Sequence, residues 1–273
     1  MQAQTQFTPG FVKVELYTGI GGTAVANLTS NAKFPDSPDE VRFVKFAEFP
    51  NGDDDGNPPP SDVYNDYGIR ISGYIIPQET ADYIFFLAAD DGAEFWLSTD
   101  STPANARRIA IEPTWNPVRA WATLDRRNAD NPENRSDKYQ ASQWAGGPGP
   151  IRLTAGTRYY FYGLMKEGGG GDNWAITWIK AGEADPETGD QPIGPQFLGV
   201  DAPLTVSFIQ QPQNTTVFNG RSVDLTVQVT AVPNLTLQWF RNNVAIPDAT
   251  GPTLRDGPLS LAQSGPGTRS KPA

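Results

Sequence analysis

Two adjacent carboxylates, Asp90 and Asp91, stand directly before Gly92 at the end of the apolar run Asp82-Tyr-Ile-Phe-Phe-Leu-Ala-Ala. A hard divalent cation takes about six to eight oxygen ligands, and neighbouring carboxylates supply part of that shell while the ion offsets their repulsion. The same three residues also suit a tight turn in which the aspartates cap backbone amides. A second acidic cluster, Asn51-Gly-Asp-Asp-Asp-Gly-Asn-Pro-Pro-Pro-Ser-Asp, places Asn51, Asp53 and Asp55 at the opening spacing of an EF-hand loop. There the twelfth position is Asp62 instead of glutamate, three prolines stiffen the middle, and no amphipathic helix flanks the loop, so a solvated turn competes with a second ion site.

Other chemistries are closed off by residue type. The chain has no histidine and no cysteine, which excludes serine triads, cysteine nucleophiles, thiolate zinc sites, ordinary zinc hydrolases and disulfides. Paired carboxylates remain for glycoside hydrolysis, but among 31 acidic residues some pair always meets the required separation, so that signal has no specificity. A non-catalytic role is the expectation. The net charge of −10, with no basic stripe, repels phosphate backbones and anionic lipid and disfavours nucleic acid as a partner. No run is long and apolar enough for a membrane span, and Met1-Gln-Ala-Gln-Thr lacks the charged and apolar regions of a signal peptide. Absence of cysteine fits the style of a bacterial surface protein. The triplets at Asn27, Asn134, Asn214 and Asn234 are glycosylation acceptors only in a eukaryotic secretory pathway.

The elements that must position these residues read as strands. With 27 glycines, 25 prolines and 11% aromatics in 273 residues, short strands joined by many turns are favoured over long helices, and the fold class is all-β. The run from Asp82 is apolar at both parities, as a strand covered on both faces should be, and Ala93-Glu-Phe-Trp-Leu-Ser follows it after a turn. Thr157-Arg-Tyr-Tyr-Phe-Tyr-Gly-Leu-Met and Trp174-Ala-Ile-Thr-Trp-Ile-Lys form a second strand pair around Lys166-Glu-Gly-Gly-Gly-Gly-Asp-Asn. Between the pairs, residues 100–150 are polar, carry Trp115, Trp121 and Trp144, and are expected on the surface. The charges, prolines and glycines of residues 183–202 read as a linker between a domain at 1–182 and another at 203–273.

Tyr67-Gly-Ile-Arg-Ile-Ser-Gly-Tyr-Ile-Ile-Pro, the Asp90-Asp91-Gly92 hairpin, the Tyr159-Tyr160 strand and the Gly-Gly-Gly-Gly-Asp-Asn-Trp loop occur in an order that resembles the PA14 family, a β-sandwich module of bacterial toxins, glycosidases and yeast surface adhesins. The resemblance spans about residues 11–180. It implies that Asp90 and Asp91 hold calcium, as in the adhesin branch of the family, where the ion contacts sugar hydroxyls. Asp172 and Asn173 are the candidates for the remaining side-chain ligands. Trp174 is a candidate stacking face for a sugar ring, with burial in the core as its alternative because its strand is apolar at both parities.

In the C-terminal part, Val223, Leu225, Val227 and Val229 alternate onto one face, and Leu235-Thr-Leu-Gln-Trp follows. This stretch resembles the first half of an immunoglobulin-like domain, with Trp239 as the core tryptophan and Val227 in place of the first cysteine. After Ser260-Leu-Ala-Gln-Ser-Gly an irregular tail is expected in place of the final strands, which would leave an open sheet edge. Two functions follow. The first is an extracellular or cell-surface protein that binds a glycan or cell-surface polysaccharide with calcium. The alternative is a structural or assembly subunit that self-associates through the open immunoglobulin-like edge.

Overall fold

The computed structural model describes residues 5–53, 55–121, 132–203, 205–213, 215–259 and 268–272. It divides into two compact units, residues 7–201 and residues 202–273 with 1–6. The first, whose boundaries fall within its first and last strands, is built in chain order from β1 (Thr5–Pro9), β2 (Val12–Thr18), α1 (Val25–Thr29), β3 (Glu40–Val44), β4 (Glu48–Phe49), β5 (Tyr67–Ile75) and β6 (Ala81–Asp90). It continues with β7 (Gly92–Ser98), β8 (Ala106–Glu112), β9 (Ile151–Leu153), β10 (Tyr159–Glu167), β11 (Asn173–Lys180) and β12 (Leu198–Pro203). One sheet runs β1-β12-β5-β10-β7-β8, with β2 and β3 joined to it through β5, and the other runs β4-β11-β6-β9.

Alternation along the strands puts Ile69 and Ile71 of β5, Phe95 of β7, Phe161 and Met165 of β10, Phe85 and Leu87 of β6, and Trp174 and Ile176 of β11 into one core between the sheets. The other face of β6 is also covered. Ile84, Phe86 and Ala88 pack with Ala175 and Trp121, which explains why this strand is apolar at both parities. Trp121 comes from the insertion after β8, and the insertion's backbone runs alongside β6. The Asn116 amide donates to Ala89 O at 2.9 Å, and the Leu87 amide to Asn134 O at 2.9 Å. The expectation of a surface insertion is thereby corrected: Asn116, Arg119, Trp121, Asn134, Ser136 and Tyr139 are buried. Their polar groups are what such a segment needs to satisfy strand-edge amides and carbonyls. Residues 122–131 of the insertion lie outside the described residues.

The linker reading of 183–202 is also corrected. Ile193, Leu198 and Val200 are buried, the Ile193 amide donates to Ile176 O at 2.9 Å, and Leu198 lies opposite Ile75 in the large sheet. Only the charged first half has linker composition. The apolar positions that follow find a place in the core, and burying them outweighs the cost of ordering the segment.

The second unit contains β13 (Phe208–Gln210), β14 (Val223–Thr226), β15 (Gln228–Val229), β16 (Leu237–Arg241), β17 (Val244–Ala245), β18 (Thr253–Asp256) and β19 (Thr268–Pro272). Val223, Leu225, Val227 and Val229 are each more buried than the exposed Asp224, Thr226 and Gln228 between them, as the alternation predicts. Trp239 is fully buried and its indole N–H donates to Gly251 O at 2.9 Å. The tail is not wholly irregular: β19 pairs antiparallel with β16, setting Ser270 opposite Trp239, while β17 takes the other edge. The tryptophan strand β16 thus has a neighbour on each side. Residues 260–267 and Asn214 lie outside the described residues. Among the described residues no helix is long and apolar enough to cross a membrane.

Candidate functional site

β6 and β11 are antiparallel neighbours with Asn173 directly opposite Asp90, so the ladder that builds the small sheet brings the Asp-Asp pair and the glycine-rich loop to one end of it. The Asp90–Asp91 peptide is cis. Gly92 begins β7, where a Cβ would stand 2.7 Å from the Thr23 carbonyl; only glycine fits this approach. Across the gap, a Cβ on Gly171 would lie 2.8 Å from Asp90 Oδ2. The loop therefore passes close over the carboxylate because it carries no side chain there. Asp90, Asp91, Gly171 and Asn173 line an open pocket of about 630 Å³ whose wall includes Trp115, Val118 and Gly170.

Two buried polar groups at this end lack partners. Asn173 is 2% exposed and its Nδ2 donates to Asn116 O at 2.9 Å, but its Oδ1 accepts nothing. Glu167, fully buried at the end of β10, has no hydrogen-bond partner in the protein on either carboxylate oxygen. One carboxylate oxygen from each of Asp90, Asp91 and Glu167 lies within 4.8 Å of the others. Burial, then the charges of Asp91, Asp172 and Glu112, push the Asp90 carboxyl up to about 7. Burial, then the charges of Asp91 and Asp90, push Glu167 up to about 8, with the Gly169 amide nearby giving slight relief. An electropositive centre among these oxygens would reverse both shifts. The donor set is all hard oxygen, the orphaned amide and carboxylate oxygens need a partner, and Gly171 leaves room for one, so the residues fit a hard cation such as calcium.

The sequence-predicted residues divide. Asp90, Asp91 and Asn173 come together as expected. Asp172 does not join them as a free donor: its Oδ1 accepts the Val63 amide at 2.9 Å, and its Oδ2 accepts the Tyr64 amide and the Tyr67 hydroxyl, both at 3.0 Å. Its carboxylate folds the segment ahead of β5. Trp174 is fully buried in the core, edge-on to Phe95, and its six-membered ring occupies the space over Gly163, so it offers no face to a sugar. The exposed aromatic at the pocket is Trp115, 42% accessible.

The second acidic cluster is a turn. Asp53 Oδ1 accepts the amides of Asp55 and Asn57 at 3.0 Å, its Oδ2 accepts Asn57 Nδ2 at 2.6 Å, and Asn51 Nδ2 donates to the neighbouring Gly52 carbonyl. Asp53's lowered pKa comes from those Asn57 bonds first. The loop is held by Arg119, which donates to Gly56 O at 3.0 Å while its fork grips the buried Glu48 at 2.6 and 2.7 Å. Asp54 lies outside the described residues. Among the described residues the one acidic group with metal-site spacing is that of Asp90, Asp91 and Glu167.

Glu167 was missed by reading motifs. Its signal was parity: Phe161, Gly163 and Met165 share the core face of β10, and Glu167 continues it, a charged residue where an apolar one belongs.

Comparison with known proteins gives two family matches: the PA14 domain over residues 22–107 and the immunoglobulin I-set domain over residues 206–254. The chain is 30% identical over 171 residues, 62% of its length, to N-acetyl-beta-glucosaminyl-glycoprotein 4-beta-N-acetylgalactosaminyltransferase 1 of Mus musculus, and spans 14% of that protein. Among solved structures it is similar to the PA14 domain of MpAFP antifreeze protein (TM-score 0.46, 13% identity, covering 73% of this chain and 95% of that one). It is also similar to the PA14 sugar-binding domain from an RTX adhesin (TM-score 0.42, 13% identity, covering 71% and 99%).

Proposed function

The chain carries a PA14 domain followed by an immunoglobulin-like domain, and from that premise we propose that it is a non-catalytic, calcium-dependent glycan-binding protein of the cell exterior. The observation that carries this reading is the buried, unpartnered Asn173 Oδ1 opposite Asp90 at the floor of an open pocket. Asp90, Asp91 and Asn173 would hold the ion, whose chemistry when bound is to accept sugar hydroxyl oxygens in its remaining coordination positions. Trp115 would supply an apolar face for a sugar ring, the role that Trp174 cannot fill. The glycine-rich loop shapes the pocket and lets a ligand approach the backbone closely.

The curated relative acts, by its name, on a glycoprotein bearing N-acetylglucosamine, which supports recognition of an N-acetylglucosamine-containing glycan. Its transferase activity is not carried over, because the shared segment is a small part of that protein. In this chain we assign the segment to holding a glycan and no bond-making step to any residue.

The test is a glycan array read with calcium and with chelator, on wild type, Asp90→Ala and Trp115→Ala. Binding is expected with calcium alone and lost in Asp90→Ala. In Trp115→Ala it should weaken about tenfold, or ~1.4 kcal/mol, with calcium affinity unchanged. Glycan binding that survives chelation would sink the calcium role. Calcium-saturated protein that binds no glycan would sink the glycan role.

A further inference from the structure

We propose that Glu167 is a third carboxylate ligand of the cation site, reaching it from the core side and completing a donor set of Asp90, Asp91, Glu167 and Asn173; the inference rests on the reading that this site holds a divalent cation.

Three observations carry it. The carboxylate is fully buried and neither oxygen has a hydrogen-bond partner in the protein. A charged carboxylate in that state is strongly disfavoured, and even a protonated one would leave its O–H without an acceptor. The fold also supplies a cation next door and turns it away: Lys166 is fully buried, yet its Nζ donates to the main-chain carbonyl of Glu167 and not to the carboxylate. Finally, a Glu167 oxygen lies within 4.8 Å of an oxygen from both Asp90 and Asp91, a spacing at which oxygens about 2.3–2.6 Å from one centre can share an ion. A structural glutamate would be paired with the lysine or held by amides in good geometry, as Asp172 is, whereas the Gly169 amide near Glu167 falls short of hydrogen-bond geometry.

The consequence is a site with three negative charges facing a doubly charged ion. Affinity in oxygen sites rises with ligand charge count, and an excess negative charge favours a trivalent ion of calcium's size. Terbium, excited through a neighbouring tryptophan such as Trp115, should therefore bind more tightly than calcium.

The experiment uses the full chain stripped with chelator and compares wild type, Glu167→Gln and Asp90→Asn. It combines calorimetric titration with calcium and terbium with melting in the presence and absence of calcium. Glu167→Gln is expected to weaken calcium binding by about tenfold or more and to narrow the preference for terbium. Its two melting temperatures should move in opposite directions, upward without the ion because a buried repulsion is removed, and downward with calcium because a ligand is lost. A merely structural glutamate would shift both the same way. Calcium affinity unchanged in Glu167→Gln but lost in Asp90→Asn would overturn the Glu167 role and leave the cation site standing. No saturable binding of either ion by wild type would overturn both. If Glu167→Gln fails to fold, Glu167→Asp keeps the charge and shortens the reach. It should bind calcium more weakly without a rise in the ion-free melting temperature, and wild-type affinity there would overturn the role.

Discussion

Glu15 and Arg70 face each other directly across β2 and β5, and Arg70 Nε donates to Glu15 Oε2 at 2.6 Å while Lys13, two residues along the same strand, donates to Oε1 at 2.9 Å. Burial alone would raise the Glu15 carboxyl, but the hydrogen bonds and charges of Arg70 and Lys13 more than offset it and hold the pKa below the usual value. The sign follows from linkage. A carboxylate whose folded pKa is depressed adds stability above its unfolded value, and that stability is lost as pH falls through the folded one. Glu15→Gln should therefore destabilise the protein at about pH 7 by on the order of 1–2 kcal/mol, with the difference shrinking towards about pH 3. Urea midpoints of the two proteins across that range check it, and a difference constant with pH would place the effect in packing. Residue type alone does not separate such roles. Asp172 and Asp90 look alike in the sequence, yet one is surrounded by amides and a hydroxyl while the other stands among carboxylates. The Asp90-Asp91 pair was legible because it stands at a strand end before a glycine, and Asn173 only through the resemblance to the PA14 family. Glu167 was not, because its partners lie far away in sequence and only the pairing of β10 and β11 with their neighbours brings the two loops together.

At the scale of elements, the four strands were legible because apolar parity is a local property, but their pairing was not: β6 and β7, which read as a hairpin, lie in different sheets, as do β10 and β11, and the ladders instead join β6 to β11 and β7 to β10. The indole of Trp174 lies on β10 at Gly163, where an added Cβ would meet Trp174 Cζ2 at 1.9 Å. A strand interior is a costly place for glycine, so its presence there marks this packing contact between the two sheets. Gly163→Ala should force the indole off its site and destabilise the first unit by about 1–3 kcal/mol, the usual range for overpacking a filled core. Denaturant unfolding measures it. A neutral substitution would mean that the sheets slide apart locally, which the continuous pairing of β10 with β5 and β7 opposes. The same dependence on distant contacts explains the misread linker and tail. Neither Ile193 nor Leu198 belongs to a periodic run, and Thr-Arg-Ser-Lys-Pro has no strand pattern, but each segment meets a strand edge that lacks a neighbour.

For the molecule as a whole, the division into two units has a thermodynamic consequence. The first has its own core between two sheets and holds the whole carboxylate cluster, while the second buries Val227 and Trp239 among much shorter strands. An ion that binds only the folded first unit stabilises that unit by mass action, about 2.7 kcal/mol at a free concentration a hundredfold above its dissociation constant. It contributes nothing to a core it does not touch. Calorimetric melting of the full chain should therefore show two transitions, and chelation should lower only the one that belongs to the sandwich. Trp239→Ala, which removes a fully buried indole at a cost of about 3–5 kcal/mol, should lower or abolish the other while leaving the calcium-sensitive one in place. A single transition moved both by chelation and by Trp239→Ala would mean that the units unfold as one cooperative body. Calcium would then stabilise the immunoglobulin-like strands as well, and the site on the sandwich would govern the folding of the entire chain.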